Sequence, residues 1–347
     1  MPSDTNSVPM AVIFGCSGKV LSAKEADFFA QSNPLGFILF ARNCETPDQV
    51  KSLVRALRVS VGRDDAPVLI DQEGGRVQRL GPPQWKKRPA QGLFAKIASE
   101  DTDIAIEAAR LNAQLIAEDL IALGIDVNCL PLLDVPVPGS HDIIGNRAYG
   151  NDPALIATLG AAVIEGMALG GVMPVIKHIP GHGRATSDSH LSLPRVEASI
   201  DDLRKTDFAP FISLNDASWG MTAHIVYAAL DADQPATLSK TVISDVIRGE
   251  IGFDGFLMSD DVNMKALTGS VAENSVRALD AGCDAVLHCN GELEEMISVA
   301  AELPELSVQA IERFNSAKAH QPAKTDVDVD ALELLFDRVT AKWRNWA

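Results

Sequence analysis

Short apolar runs rich in β-branched residues recur along almost the whole chain, and they restrict the choice of fold more than any other feature. They do not alternate cleanly between apolar and polar residues, as a strand with one solvated face would. Continuous apolar runs of this length are typical of parallel strands that are buried on both faces. The eight runs are Ala11–Gly15, Gly36–Phe40, Val68–Asp71, Ile125–Asp134, Val172–His178, Trp219–Ile225, Gly255–Asp260 and Ala285–Cys289.

Helix signals lie between most of these runs. Thr46–Gln49 (TPDQ) predicts a capping box with proline at the first helical position, opening a helix that extends to about Ser60. Asp152-Pro153 predicts the start of another helix, which Gly170-Gly171 ends. The apolar residues of a third helical segment, 101–123, recur at spacings of three and four and form one stripe. The stripe consists of Ile104, Ala108, Leu111 and Leu115.

Strand and helix patterns that alternate about eight times predict an α/β fold, namely a single (β/α)8 TIM-like barrel. A doubly wound open sheet is the alternative, but Gly15–Gly18 (GCSG) does not match the GxGxxG phosphate signature of that fold. No linker divides the 347 residues. We therefore expect residues 1–347 to form a single catalytic domain, with a helical extension around residues 328–345.

The charge of the chain excludes several partners. Lys and Arg total 30 and Asp and Glu total 47, which gives a net charge of −17. Phosphate backbones and anionic lipid surfaces repel such a chain, so we expect neither a nucleic-acid nor a membrane partner. The five cysteines form no CxxC pair, which predicts buried thiols in a reducing compartment. With no signal-peptide pattern and no long apolar segment, the sequence predicts a cytoplasmic protein.

Polar side chains follow the predicted strands at their carboxyl ends, where a TIM barrel carries its catalytic groups. They are Asp71, Glu73, Arg76, Arg79, Asp134, Arg147, Lys177, His178, His224, Asp260 and Asp261. Carboxylates and cations together can bind sugar hydroxyls through charge-assisted hydrogen bonds. Some of these residues could instead be strand-end caps or structural ion pairs. Because neighbours on a strand point to opposite faces, one residue of Asp260-Asp261 can face the barrel mouth while the other pairs elsewhere.

The segment 177–190 contains one lysine, three histidines and one aspartate among glycines and prolines, which indicates a chemical role. The side chains of His178, His182, Asp188 and His190 could bind a metal such as zinc. Alternatively, Asp188 could orient His190 as a general acid and base. The residues alone leave both readings open. A third possibility is a Schiff base on Lys177, as in some barrel aldolases, and a fourth is a sugar-binding protein without catalysis.

Four motifs together resemble the β-N-acetylglucosaminidases of glycoside hydrolase family 3, most closely the single-domain bacterial kind that recycles cell-wall muropeptides. The motifs are DQEGGRVQR at 71–79, KHIPGHG at 177–183, DSH at 188–190 and SDD at 259–261. The resemblance extends from about residue 10 to 340. It implies a TIM-like barrel that needs no metal or other cofactor and that hydrolyses its substrate with retention of anomeric configuration.

The resemblance also implies roles for individual residues. Asp260 matches the catalytic nucleophile, His190 the general acid and base, and Asp188 the partner of that histidine. Five further residues match those that bind N-acetylglucosamine, and they are Asp71, Arg79, Arg147, Lys177 and His178. The implied substrate is N-acetylglucosaminyl-β-1,4-anhydro-N-acetylmuramyl peptide, and we expect a monomer.

The sequence departs from the family pattern in three places. Ile179 stands where phenylalanine is more frequent, and Asn146 precedes Arg147 where aspartate is usual. The fourth apolar run reads CLPLLD at 129–134, which differs from the usual APVLD. The Asn146 substitution could alter how Arg147 is held, whereas the implied catalytic set is intact.

Overall fold

The computed structural model describes residues 8–185, 193–264 and 267–343, and within these ranges eight parallel strands close into a barrel. In chain order the strands are β1 (Met10–Gly15), β2 (Pro34–Leu39), β3 (Val68–Ile70), β4 (Gln72–Gly74), β5 (Val77–Gln78), β6 (Val127–Asn128), β7 (Met173–Ile179), β8 (Arg195–Val196), β9 (Trp219–Thr222), β10 (Val226–Tyr227), β11 (Phe256–Asp261) and β12 (Ala285–His288). The order around the barrel is β1-β12-β11-β9-β7-β6-β3-β2, which confirms the predicted fold class. The strands β4 and β5, and likewise β8 and β10, form small separate sheets.

Helices surround the barrel. In the described ranges the α-helices are α1 (Ala23–Ser32), α2 (Pro47–Val61), α3 (Gly92–Ala98), α4 (Thr102–Ile121), α5 (Pro153–Leu169), α6 (Ile200–Lys205), α7 (Ala209–Ser213), α8 (Val271–Ala281), α9 (Leu293–Glu302), α10 (Val308–Ala319) and α11 (Val329–Val339). A π-helix spans Val242–Glu250. No helix in these ranges has both the length and the apolar character needed to span a bilayer.

The predicted helix starts agree with the structure in all but one detail. The Thr46 side chain accepts the Gln49 N–H and caps α2, and the Asp152 side chain accepts the Ala154 N–H and caps α5. The capping box predicted at Thr46 is incomplete, because Gln49 Oε1 accepts the N–H of Glu45 instead (2.9 Å). Glu45 takes that bond because it lies one residue before the cap, within reach of the Gln49 side chain.

Alternate side chains of the strands point to two separate apolar layers. Ile13 and Leu69 lie inside the barrel, whereas Val12 and Val68 pack against the helices outside it. The amino-terminal end of the barrel is covered by α10, whose Phe314 contacts the rings of Trp219 and Phe256 (centroids 6.1 and 5.7 Å apart). Because the interior is filled and this end is covered, polar chemistry concentrates at the carboxyl end of the strands.

The fourth apolar run is a much shorter strand than predicted. Within Ile125–Asp134, only β6 pairs regularly, and Leu132 adds one isolated bridge to Lys177. The reason is Pro131, which has no N–H to donate to a neighbouring strand and so interrupts the ladder. All five cysteines lie in described residues and are free thiols; four are buried, as predicted, whereas Cys44 is only half-buried.

Candidate active site

A cavity of about 240 Å³ opens at the carboxyl end of the barrel. It brings together the six predicted site residues that the structure describes, and these are Asp71, Arg79, Arg147, Lys177, His178 and Asp260. The other two predicted site residues, Asp188 and His190, lie outside the described residues. A larger cavity of about 570 Å³ at the opposite end is lined by residues such as Asn215 and Arg313 and contains none of the predicted residues.

Two carboxylates and three cations form a continuous network along one wall of the cavity. Lys177 Nζ donates to Asp71 Oδ1 (3.0 Å) and lies 2.7 Å from Glu73 Oε1. The Arg79 guanidinium donates to the second oxygen of Asp71 (3.0 Å). Arg147 donates through Nε and Nη2 to both oxygens of Glu73 (2.9 and 2.8 Å). Each cation is therefore held by a carboxylate before any substrate binds.

The network fixes the charge of its members at neutral pH. Burial alone would raise the pKa values of Asp71 and Glu73, but the neighbouring cations outweigh it. Lys177 and Arg79 hold the pKa of Asp71 far below its usual range, and Lys177 and Arg147 lower that of Glu73 to about 2. Burial opposes the charge of Lys177, yet the two carboxylates raise its pKa. A permanently protonated lysine is a poor Schiff-base nucleophile, which argues against the aldolase alternative.

Glu73 is among the polar residues predicted at the strand ends but has no predicted role, although it organises two residues that do. Its side chain has no exposed surface, and it holds both Lys177 and Arg147. The sequence carried a usable signal, because Glu73 follows Asp71 by two residues and alternate residues of an extended chain point to the same side. The side chain of Asn146 is exposed, and Arg147 Nη1 donates to the Ile143 carbonyl instead (3.1 Å).

A second buried group surrounds Asp134. Its Oδ2 lies 2.8 Å from His178 Nδ1, and its Oδ1 accepts the backbone N–H groups of His178 and His182 (3.2 and 2.6 Å). Burial opposes ionisation of Asp134, but the two histidines bring its pKa down to about 2. Burial and the neighbouring His178 lower the pKa of His182 to about 4, so His182 is neutral at pH 7. Asp134 thus anchors the chain at the carboxyl end of β7, from His178 to His182.

Two register shifts explain why adjacent residues both reach the cavity. In β7 the pairing with β9 shifts between Ile176 and Ile179, and in β11 the pairing with β12 shifts between Met258 and Asp261. Such a bulge adds one residue to a strand and redirects its side chains. The pairs Lys177-His178 and Asp260-Asp261 sit at these shifts, and all four residues line the cavity. Lining the cavity does not by itself decide which of the two aspartates faces its mouth, and the hydrogen bonds of their carboxylates distinguish them.

The carboxylates of these two aspartates are nevertheless held differently. Asp260 Oδ1 accepts the N–H of Asp261 (2.8 Å). Asp261 Oδ1 accepts the backbone N–H groups of Asn263 and Cys289 (3.2 and 3.1 Å), which turns its carboxylate towards the protein. Burial, together with the charge of Asp260, raises the pKa of Asp261 to about 6. Of the two, Asp260 is the better placed to react with a ligand.

Comparison with known proteins identifies the family. The model for the glycosyl hydrolase family 3 N terminal domain matches residues 15–320. The chain belongs to glycoside hydrolase family 3. The beta-hexosaminidase of Idiomarina loihiensis is 36% identical over 304 residues, which cover 86% of this chain and 89% of that protein. The chain is accordingly a glycoside hydrolase of the β-N-acetylhexosaminidase class.

Solved structures agree with this membership. A family 3 beta-N-acetylglucosaminidase from Paenibacillus sp. superposes with a TM-score of 0.85 at 30% identity, covering 96% of this chain and 67% of that one. NagZ from Neisseria gonorrhoeae in complex with N-trifluoroacetyl-D-glucosamine superposes with a TM-score of 0.83 at 29% identity, covering 96% and 97%. The Neisseria protein has also been solved in complex with a zinc ion.

The metal alternative has no complete ligand set in the part of the chain that is described. Across those ranges, no three His, Cys, Asp or Glu side chains are arranged to hold a metal ion. His178 and His182 lie side by side, with ring centroids 5.4 Å apart, but the other two residues of that alternative are Asp188 and His190. Of these two histidines, His178 is already held by the Asp134 carboxylate, which lies 2.8 Å from its Nδ1.

Proposed function

We propose that this family 3 enzyme is a retaining exo-β-N-acetylglucosaminidase that removes terminal, non-reducing N-acetylglucosamine from cell-wall muropeptides. The observation that carries the proposal is the cavity in which Asp260 shares one small space with the Asp71–Lys177–Glu73–Arg147 network. Its volume of about 240 Å³ is below the about 300–1,000 Å³ of pockets for drug-sized ligands, which suits a single sugar unit. A site of this size favours cleavage from a chain end.

Sugar binding in this proposal uses the charges already fixed in the network. Asp71 accepts hydrogen bonds from sugar hydroxyls, whereas Arg79, Arg147, Lys177 and His178 donate them. Bonds of this kind, with one charged partner, are roughly twice as strong as neutral ones. Because the carboxylates orient the cations in advance, little side-chain freedom is lost when the sugar enters.

Hydrolysis then proceeds in two displacements. The carboxylate of Asp260 attacks the anomeric carbon while His190 donates a proton to the departing glycosidic oxygen, and a covalent glycosyl–enzyme forms. In the second step His190 takes a proton from water, the water oxygen attacks the same carbon, and the bond to Asp260 breaks. Asp188 orients His190 and raises its pKa above the ordinary value of about 6.5. The roles of Asp188 and His190 rest on their match to the family motif.

The natural substrate in this proposal is N-acetylglucosaminyl-β-1,4-anhydro-N-acetylmuramyl peptide, which arises during peptidoglycan recycling. The bound N-trifluoroacetyl-D-glucosamine of the Neisseria relative supports an N-acylglucosamine ligand. We place the enzyme in the cytoplasm as a monomer. In this proposal residues 1–347 form one catalytic domain, with the segment around 328–345 as a helical extension.

The test is hydrolysis of 4-nitrophenyl β-N-acetylglucosaminide, compared with the matching β-glucoside and the galacto isomer. We expect preference for the N-acetylglucosaminide and, by NMR of the first product, release of the β-anomer before mutarotation. Mass spectrometry of a muropeptide digest should show loss of one N-acetylhexosamine. Initial release of the α-anomer would contradict a retaining mechanism, and intact muropeptides would contradict the proposed substrate.

A further inference from the structure

We propose that the side chains of Thr222, His224 and Thr237 act as positioning residues that clamp the Asp260-Asp261 segment and so aim the Asp260 carboxylate. This inference rests on the proposed role of Asp260 as nucleophile. Thr222 lies in β9, His224 follows its carboxyl end, and Thr237 lies in a neighbouring 3₁₀ turn. All three residues are completely buried. We call them the β9 clamp.

The segment needs support on its β9 side, whereas on the other side Asp261 pairs with Leu287 of β12. The backbone of β11 pairs with β9 only from Phe256 to Met258. The pairing with β9 thus stops two residues before Asp260, and on that side the segment is contacted by side chains instead. Backbone groups that leave a ladder need other partners to remain fixed.

One arm of the β9 clamp holds the carbonyl side of the segment. His224 Nε2 lies 2.9 Å from the backbone oxygen of Asp261. A carbonyl oxygen only accepts hydrogen bonds, so Nε2 must carry the proton and donate it. The other ring nitrogen, Nδ1, lies 2.7 Å from the Thr237 hydroxyl, which orients the imidazole.

The second arm holds the amide side. The N–H of Asp260 donates to Thr222 Oγ1 in a long hydrogen bond of 3.4 Å. Thr222 Oγ1 is in turn 2.8 Å from Thr237 Oγ1. The Thr237 hydroxyl donates to the Ala223 carbonyl (3.0 Å), and the Thr237 backbone N–H donates to the same oxygen (3.3 Å), so both groups tie Thr237 to the residue that follows β9. Hydrogen bonds therefore run without a gap from the amide of Asp260 through two hydroxyls and one imidazole to the carbonyl of Asp261.

The clamp reaches the nucleophile through one peptide group. Asp260 Oδ1 accepts the N–H of Asp261, so the plane of the peptide between them sets the direction of the carboxylate. A small rotation of that peptide would move the attacking oxygen relative to the anomeric carbon. Misplacement of a reacting group by about 1 Å can cost about 100-fold in rate.

Thr237 gives the sharpest test because its hydroxyl connects both arms. Thr237→Val removes the hydroxyl and keeps the shape, whereas Thr237→Ser keeps the hydroxyl. We expect Thr237→Val to lower kcat for the 4-nitrophenyl substrate by about 10- to 100-fold, with the inhibition constant for N-acetylglucosamine within about twofold of wild type. Thr237→Ser should restore most of the lost kcat. Thr158→Val is the matched control, since Thr158 is an exposed residue of α5 that bonds only within its own helix.

A second pair covers the case in which Thr237→Val does not fold. His224→Gln retains an N–H that can donate to the Asp261 carbonyl, whereas His224→Leu retains none. We expect His224→Gln to keep a higher kcat than His224→Leu. In the wild type, ¹⁵N NMR should show that Nε2 of His224 carries a proton.

Three results would overturn the clamp. They are wild-type kcat in Thr237→Val, equal losses in Thr237→Val and Thr237→Ser, and a His224 Nε2 that carries no proton. Failure of the proposed function is seen separately, because it would leave wild-type Asp260 unlabelled by a 5-fluoro N-acetylglucosaminyl fluoride. A labelled wild type with a fully active Thr237→Val refutes the clamp alone.

Discussion

Replacing Glu73 with glutamine tests whether the buried ion network is as strong as its geometry indicates. The Glu73 carboxylate has no exposed surface and meets two cations, Lys177 at 2.7 Å and Arg147 at 2.8 Å. Glu73→Gln preserves the volume of the side chain but removes its charge. Lys177 then keeps only Asp71 as a carboxylate partner in the described network, and the Arg147 guanidinium loses its carboxylate.

The magnitude follows from the pKa of Glu73. A shift from 4.5 to about 2 corresponds to about 3 kcal/mol of native-state stability at pH 7. This agrees with the about 3–5 kcal/mol lost when one partner of a buried pair is removed. Because the pKa of Glu73 is lower in the folded state, ionised Glu73 stabilises the protein above pH 4.5, and this stabilisation is lost as the pH falls towards 2. Wild type and variant should therefore become more alike in acid.

Urea unfolding at pH 7.0 and at pH 3.5 measures both predictions. We expect the variant to be less stable by about 3 kcal/mol at pH 7.0, and we expect this difference to narrow by about 1 kcal/mol at pH 3.5. Glu45→Gln is the matched control, because Glu45 forms an exposed pair with Lys19 that is worth at most about 1 kcal/mol. A Glu73→Gln variant no less stable than the control, or a difference that does not change with pH, would refute the reasoning.

Three further predictions concern the chemistry. Asp260→Ala should fold but lose nearly all turnover, and a 5-fluoro N-acetylglucosaminyl fluoride should add one sugar to the wild-type peptide that contains Asp260; a label on Asp261 or Glu73 would reassign the nucleophile. His190→Ala should damage turnover of the natural disaccharide by about 10²–10⁴-fold more than that of an aryl glycoside, with azide yielding a β-glycosyl azide, and Asp188→Ala should show a weaker version of this pattern. Equal losses on both substrates without an azide product would place the proton donor elsewhere. Activity should survive extensive dialysis against EDTA, whereas loss that added zinc restores would favour the metal-dependent alternative.

Local patterns in the sequence are sufficient to predict the barrel fold. Apolar runs, caps at Thr46 and Asp152, and polar residues at strand ends each depend on neighbours within a few positions. The shortening of β6 was also within reach, because Pro131 stands in the predicted run and proline interrupts a ladder.

Features that depend on distant partners were not predictable in the same way. The shifts at Lys177-His178 and Asp260-Asp261 are set by registers between strands, and no local pattern records them. Glu73 resembles any acidic residue in a glycine-rich turn until Lys177 and Arg147 are placed beside it. The roles of its two partners are visible only when segments about 70 to 100 residues apart meet.

Closure of the barrel has a consequence for how the protein is made. On one edge β1 pairs with β2, and on the other edge its Val12 pairs with Val286 of β12. The second edge of β1 therefore stays unpaired until β12, the last strand of the barrel, has been synthesised. On the ribosome, a chain stopped before residue 285 presents that edge unpaired, and an open edge can recruit strands from other chains. Incomplete chains should therefore be recognised by proteases or aggregate, and functional protein accumulates only from nearly complete translation.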